Sequence, residues 1–326
     1  MTRAFVVVNP AAGGGRTGRR WRRLGDELTR LGLRFETAET TRRGQATELA
    51  RRATADGWPL VVAVGGDGTL DEVINGVTDA RGAPLATTGA ILTGRGRDAC
   101  RNFGLAFDPR IAASRIVRGI DAHFDLGAAE WPDGTRRYFV SIAGAGFDAV
   151  VARRAASRGG SGTLPYLRAV VESLWSHRAT SAALEVDGVP VAGLLAATMI
   201  ANGPYCGGGM RIAPDADPAD GALDLVVVGD LGRARLLRWL PSVYRGTHLA
   251  NRAVAVHRAR WVTIGAPLAT QLDGNRHLTA QSLSACARAR CASAARRRPR
   301  RLQSRPWAEG ANRSRWPLFS NPPAAV

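Results

Sequence analysis

The sequence predicts an α/β protein in two parts, a three-layer N-terminal domain on a mainly parallel sheet and a β-rich sandwich after it. Three observations carry this. Val61-Val-Ala-Val64 reads as a buried strand, runs into Gly65-Gly-Asp-Gly-Thr69, and continues with Leu70, Val73, Ile74 and Val77 at helical spacing. Phe5-Val-Val-Val8 repeats the theme through Asn9-Pro-Ala-Ala-Gly-Gly-Gly15, followed by Trp21, Leu24, Leu28 and Leu31 on one helical face. From about Leu126 the alternation gives way to short strand-like runs separated by Asp-Gly and Pro turns.

Taken in order, strands are expected near 4–9, 34–38, 60–64 and 88–93, with helices near 18–31, 45–56, 69–78 and 110–118. The second part offers strands at Tyr138–Ala143, Ser181–Val186, Leu194–Ala201 and Leu223–Val228, and helices near 147–157, 164–177 and 231–245. The resulting division is 1–125 for the nucleotide-type domain, 126–275 for the sandwich and 276–326 for a tail, with the active site in the cleft between the two domains. Trp239 and Leu236 on the late helix read as core.

A glycine turn between a strand and a helix N-terminus is an anion site, because unpaired N–H groups and the positive end of the helix dipole converge there. Asp67 within such a turn makes chemical sense if it organises a magnesium ion beside a phosphate. All 45 basic residues are arginine, since the chain contains no lysine. That excludes a Walker A loop and a protein-kinase site, both of which need a lysine. Phosphate binding is left to backbone amides, arginine and metal.

Hydrophobic residues make up 45% of the 326, ample for two cores. No apolar run approaches the roughly 20 residues of a membrane span. The chain opens directly on its first strand, so no signal peptide is expected. Cys100, Cys206, Cys286 and Cys291 lack metal or disulfide spacing and read as ordinary thiols of a reducing cytoplasm. The five histidines show no ligand or triad spacing. After Asn275 the chain carries eleven arginines against one acid, Glu309, with no regular periodicity, and is expected to be disordered. An anchor on anionic lipid, a nucleic-acid contact and an altered reading of an arginine-rich coding sequence all fit that composition.

The ordered set of motifs resembles the diacylglycerol kinase catalytic-domain family. Asn9-Pro10…Gly13 and Gly65-Gly-Asp-Gly-Thr69 match its nucleotide loops, and Gly94-Arg-Gly-Arg-Asp-Ala-Cys-Arg101 stands where the family has Gly-Thr-Gly-Asn-Asp-Phe-Ala-Arg. Gly144-Ala-Gly-Phe-Asp148, Ala201-Asn-Gly203, Gly207-Gly-Gly-Met210, Asp220-Gly-Ala-Leu-Asp224 and Gln271-Leu-Asp-Gly274 extend the match to about residue 274. The resemblance implies an ATP- and magnesium-dependent lipid kinase. It would transfer the γ-phosphoryl group to a lipid hydroxyl, by default diacylglycerol, giving phosphatidic acid.

On that resemblance, Asn9, Pro10, Ala11, Ala12, Gly13, Thr40, Arg95 and the run Gly65, Gly66, Asp67, Gly68, Thr69, Leu70, Asp71 would hold the nucleotide. Asp67 would organise the catalytic magnesium, and Gly207–Met210 would line the lipid cleft. Asp217, Asp220 and the Ala222 carbonyl fall where the family holds a structural magnesium. The family's Asp-Gly-Glu, whose Glu is held to take the lipid proton, reads Asp273-Gly-Asn275 here, so the proton acceptor falls to Asp273 or is missing. The family's Thr and Asn in the third glycine segment are Arg95 and Arg97, which would either face the triphosphate or fold back as ion pairs. Expected partners are ATP and a lipid at the inner face of the membrane, with a homodimer carried as an expectation and nucleic acid not favoured. Two alternatives stand beside the kinase: a weak or inactive nucleotide- or membrane-binding member, and an NAD kinase, which shares the Gly-Gly-Asp-Gly-Thr loop but has an Asn-Glu motif not found here.

Overall fold

The computed structural model describes residues 3–293 apart from 120, 148, 152, 153, 155–167, 174–179, 230, 231, 266, 267, 274, 281 and 282. Four strands, β1 (Arg3–Val8), β2 (Arg34–Glu39), β3 (Leu60–Gly65) and β4 (Thr87–Leu92), form a parallel sheet in the order β2-β1-β3-β4. Helices α1 (Arg16–Arg30), α2 (Gln45–Ala55), α3 (Asp67–Val77), α4 (Asp98–Phe103) and α5 (Pro109–Val117) accompany it.

Period-2 alternation builds the three layers. Val6, Val8, Val62 and Val64 point to one face and meet Leu24 and Leu28 of α1 and Ala113 and Ile116 of α5. Val7, Val61 and Ala63 point to the other and meet Ala46 and Ala50 of α2 and Val73, Ile74 and Val77 of α3. Helices α2 and α3 touch so closely that a Cβ at Gly76 would lie 2.5 Å from the Thr47 carbonyl oxygen.

The second part is antiparallel. Strands β5 (Ala122–Glu130), β6 (Arg136–Phe139), β7 (Ile142–Gly146), β8 (Thr180–Val186) and β9 (Val189–Ala201) precede the short pair β10 (Tyr205–Cys206) and β11 (Met210–Arg211). Strand β12 (Leu223–Gly229), helix α6 (Arg233–Arg245) and a 3-10 turn at Thr247–Ala250 lead to β13 (Val254–Ala259). Then come β14 (Trp261–Gly265), β15 (Leu268–Leu272), β16 (Asn275–Ala280) and β17 (Leu283–Ser293). Phe139, Leu184, Ile200, Leu223, Leu225, Val262 and Ile264 fill its core.

Two expectations change. The run Tyr138–Ala143 is not one strand, because the N–H groups of Val140, Ser141 and Ile142 turn to the Asp273 carboxylate and break the chain into β6 and β7. Disorder from 276 onward is also overturned for 276–280 and 283–293. Strand β16 pairs with β15, and β17 lies antiparallel along β5 from Ser284 to Ser293 and along β14. No hydrophobic alternation announces such pairing. At its end Ser293 meets Thr88 of β4, which joins the antiparallel strands to the parallel ones. The segment 294–326 lies outside the described residues, as do large parts of the expected helices at 147–157 and 164–177. Among the described residues no helix is long and apolar enough to cross a membrane.

Candidate active site

The C-terminal ends of β1, β3 and β4 each run into a glycine turn, and the three turns touch. The Gly65 carbonyl accepts the N–H of Thr93 at 2.7 Å and of Gly94 at 3.1 Å. A Cβ at Gly94 would stand 2.7 Å from the Gly66 Cα, and one at Gly13 would stand 3.0 Å from the Thr93 oxygen. Gly13, Gly14 and Gly15 all have positive φ, at 64°, 72° and 78°, which turns the chain into α1 where a side chain would be strained. Neither α1 nor α3 has a side-chain cap at its N-terminus; the Thr17 and Gly18 N–H groups of α1 turn back to the Ala12 and Pro10 carbonyls, and the Thr69 N–H of α3 to the Gly66 carbonyl.

Most of the residues expected at the nucleotide do converge. Asn9 donates from Nδ2 to the Thr69 hydroxyl at 3.0 Å and accepts the Ala11 N–H on Oδ1. Ala12 donates its N–H to the Asn9 carbonyl and Gly18 its N–H to the Pro10 carbonyl, which fixes the loop. Thr69 lies so close under Gly65 that a Cβ there would meet its Oγ1 at 2.4 Å. Gly66 and Gly68 complete that turn. Thr40, at the end of β2, donates its N–H to the Val8 carbonyl and so stands beside the start of the Asn9 loop.

Leu70 and Asp71 do not join them. Leu70 belongs to the core. Asp71 is fully buried one helical turn beyond Asp67, with Arg137 Nη2 of β6 at 3.4 Å. Beside it Asn75 spans to β6, donating to the Tyr138 carbonyl and accepting the Tyr138 N–H.

Arg95 and Arg97 part ways. A Cβ on Gly14 would lie 3.1 Å from Arg95 Nη2, so Arg95 covers the first glycine loop. Arg97 turns back instead, its guanidinium 5.2 Å from the Phe107 ring centroid and Nη1 donating to the Phe107 carbonyl.

Asp67 joins the second loop to the third. Its Oδ2 accepts the Arg97 N–H at 2.7 Å and its Oδ1 the Ala99 N–H at 3.1 Å, so it caps the N-terminus of α4. The next carboxylate, Asp98, continues the chain of contacts: Oδ1 pairs with Arg101 at 3.0 Å and Oδ2 accepts the Gly208 N–H at 2.6 Å. Burial pushes both carboxyls above the usual range, opposed by these N–H contacts, and the charge of Asp67 raises Asp98 further. Gly208 lies in the 207–210 turn between β10 and β11, whose three glycines all have positive φ. The expected lipid-side turn is thus tied to the nucleotide-side loops through two aspartates.

Asp273, itself at φ 44°, holds three successive N–H groups, those of Val140 at 2.6 Å and of Ser141 and Ile142 at 2.9 Å. Burial raises its carboxyl to about 6 against those contacts, and the charge of Asp67 adds to the rise. Three of the roughly four lone-pair positions of a carboxylate are therefore occupied. Asn275 pairs with Leu272 through the backbone across the β15–β16 turn, and its side chain lies outside the described part of the structure, as do Gly274 and Asp148.

Among the described residues no three His, Cys, Asp or Glu side chains stand close enough to cage a metal by themselves. Each Asp67 oxygen keeps a lone pair beside its N–H contact, and burial raises Asp67, Asp98 and Asp273, the last two further by the Asp67 charge, which leaves positive charge wanting. That donor set fits a magnesium ion that arrives with phosphates and waters. At the 217–222 turn Asp217 accepts the Ala219 N–H on Oδ1 and Asp220 accepts the Ala222 N–H on Oδ1; Arg258 lies 2.7 Å from Asp220 Oδ2, while burial and the Asp217 and Asp125 charges raise the Asp220 carboxyl.

Several residues that tie the site together were not expected from sequence. Asn102, buried in α4, donates to Ser141 Oγ and the Tyr205 carbonyl and accepts the Tyr205 N–H. Asn202, 1% exposed, donates to the Asp125 and Val140 carbonyls. Glu72 receives the Gly44 and Ala46 N–H groups at the start of α2. Asn102 and Glu72 had no sequence signal beyond being polar on otherwise apolar helix faces, whereas Asn202 lay within a matched motif.

Residues 3–129 match the model of the diacylglycerol kinase catalytic domain, and residues 141–287 match the YegS C-terminal NAD kinase beta sandwich-like domain. A diacylglycerol kinase of Mycobacterium tuberculosis is 34% identical over 226 residues, which is 68% of this chain and 72% of the relative. One of Bacillus subtilis is 28% identical over 84% of this chain and 89% of its own length. Two crystal structures from Bacillus anthracis str. Sterne, each named for diacylglycerol kinase, share the fold with TM-scores of 0.73 and 0.66 at 20% and 18% identity; each covers 90% of this chain, spanning 95% and 97% of their own lengths. With the glycine loops, the Asp67 bridge and these relatives together, the chain belongs to the diacylglycerol kinase family.

Proposed function

We propose that this protein transfers the γ-phosphoryl group of ATP to a lipid hydroxyl, with diacylglycerol as acceptor and phosphatidic acid as product. The observation that carries the reading is the Asp67 bridge, which locks the glycine loops to the 94–99 segment, while the adjoining Asp98 locks that segment to the 207–210 turn. Phosphoryl transfer through a loose transition state depends mainly on positioning and charge neutralisation, and such a linkage supplies the first. The Gly13–Gly15 and Gly65–Gly68 turns and the Arg95 guanidinium would take the phosphate oxygens. Asp67 would help hold a magnesium ion carried in with the nucleotide, which would supply neutralisation of phosphate charge. Asp273 would act as a positioning residue, holding the 140–142 segment at the acceptor side. We further propose domain limits of 1–125 and 126–275, with residues 276–293 added to the second.

Two observations favour alternatives. The C-terminal part matches an NAD kinase-like sandwich, and the residue at the family's proton acceptor is Asn275. Incubation with γ-labelled ATP and equal amounts of micellar diacylglycerol or NAD separates the three readings. Label in the lipid extract is expected. Label in the dinucleotide would make the protein an NAD kinase, and nucleotide binding with no transfer to either would make it a non-catalytic member.

A further inference from the structure

Helix α4 has six residues and is therefore only about 9 Å long, yet it is gripped from both halves of the site. At its N-terminus Asp67 holds the Arg97 and Ala99 N–H groups from the glycine-loop side. Asp98 and Asn102 stand four positions apart, so they share one face of the helix, and both reach the antiparallel part. Asp98 accepts the Gly208 N–H at 2.6 Å, and Asn102 bonds Tyr205. One such contact would leave the β10–β11 hairpin a pivot. Two contacts, three residues apart along the hairpin, fix its direction.

Asn102 uses both amide protons and its oxygen. Nδ2 donates to the Tyr205 carbonyl at 2.9 Å and to Ser141 Oγ at 3.1 Å, while Oδ1 accepts the Tyr205 N–H at 2.8 Å. Only an amide can offer a donor and an acceptor to one backbone residue in this way without carrying charge. Ser141 belongs to the stretch whose N–H groups Asp273 holds, and Asn202 takes its carbonyl and that of Val140. Asn102 is 8% exposed and Ser141 6%, so these bonds form away from bulk water, where each is strong and costly to lose. The fit is close as well: a Cβ at Gly203 would meet Asn102 Cγ at 2.8 Å.

We propose that Asn102 is a positioning residue for phosphoryl transfer. It sets the β10–β11 hairpin and the 140–142 segment, and with them the acceptor hydroxyl, against the glycine loops that Asp67 joins. The role rests on the lipid-kinase reading. Removing the amide leaves the glycine loops, Asp67 and Arg95 as they are, so nucleotide binding is kept while the acceptor side drifts.

The test is initial-rate kinetics of the full chain with γ-labelled ATP and micellar diacylglycerol, for the parent, Asn102→Ala, Ser141→Ala and the double variant. Melting curves fix a working temperature below every transition. Asn102→Ala should lower kcat about 10²-fold with KM for ATP at the parental value. Ser141→Ala leaves both Tyr205 bonds in place and should lower kcat less. The double variant should be no slower than Asn102→Ala, because the two side chains act through one contact. If Asn102→Ala does not fold, Ser141→Ala, which deletes a single oxygen, carries the same test. A folded variant that melts lower yet keeps the parental kcat would overturn the proposal and leave Asn102 a structural residue. A raised KM for ATP at unchanged kcat would overturn it too, by moving the effect to the nucleotide side. Either result leaves the kinase reading standing, whereas a parent that labels no lipid would overturn that reading and this role with it.

Discussion

In the parallel part, every residue near the candidate phosphate site stands at the end of a strand or the start of the helix that follows: Asn9 after β1, Thr40 after β2, Thr69 after β3 and Arg95 after β4. In the antiparallel part the corresponding work is done across long separations. Asp273 reaches Val140 from 133 positions away, and Asn202 reaches Val140 from 62. The first part shapes a site by local backbone geometry, which a glycine permits and a Cβ forbids. The second shapes it by satisfying buried N–H groups with single side chains, so its weak points are polar atoms rather than glycines.

The largest effect should come from breaking the local half. Gly94→Ala places a Cβ 2.7 Å from the Gly66 Cα, backbone against backbone, so one loop must move. A displacement of about 1 Å at a phosphate site costs roughly 10²-fold in rate, and initial-rate assays should show it. A Gly94→Ala protein at parental rate would mean that the contact between the loops does not set the geometry.

Next is the long-range half. Asp273→Asn replaces one acceptor oxygen by a donor facing N–H groups, leaving at least one of three unsatisfied. That should cost about 2–3 kcal/mol and lower Tm by roughly 5–10 °C, measured by calorimetry. Asp273→Glu should not rescue it, because the longer side chain misses the same N–H groups.

A smaller effect should separate the two arginines of the third loop. Arg95→Ala should raise KM for ATP by roughly tenfold by removing a charge beside the Gly13–Gly15 loop. Arg97→Ala should leave KM near the parental value, since its guanidinium lies on Phe107. Equal effects would place Arg97 in the phosphate site after all.

The smallest effect is a pH dependence. Burial raises Asp224 to about 6, with the charge of Asp220 adding and Arg258 opposing. A carboxyl raised in the folded state binds more protons there than in the unfolded chain. Its favourable contribution is complete below about 4 and is lost as pH rises through about 6. Asp224→Asn should flatten that fall and add on the order of 1 kcal/mol at neutral pH, visible as a pH series of denaturation midpoints.

What could be read from sequence follows the same division. The parallel part was legible because one strand–glycine–helix unit displays both its buried alternation and its turn, as Val61–Thr69 does. Boundaries there fall within two or three residues of expectation. The strand pattern of the second part was partly legible, but the break at Val140–Ile142 was not, since its cause sits at Asp273. Strand β17 was hidden because its Ala, Arg and Cys residues carry no hydrophobic period, and only pairing with β5 and β14 orders them. In the site, motif residues such as Asn9, Thr69 and Asp67 came together as expected. Asp71 did not, because one helical turn beyond Asp67 carries it to Arg137 on β6.

The most direct measurement is phosphate transfer from γ-labelled ATP to micellar diacylglycerol by the parent and by Asp67→Asn, with melting curves for both. The parent should label phosphatidic acid. Asp67→Asn should fall at least 10²-fold while melting within a few degrees, because it loses a charge-assisted cap on α4 worth about 1 kcal/mol. Equal rates in the two proteins would contradict a site organised around Asp67.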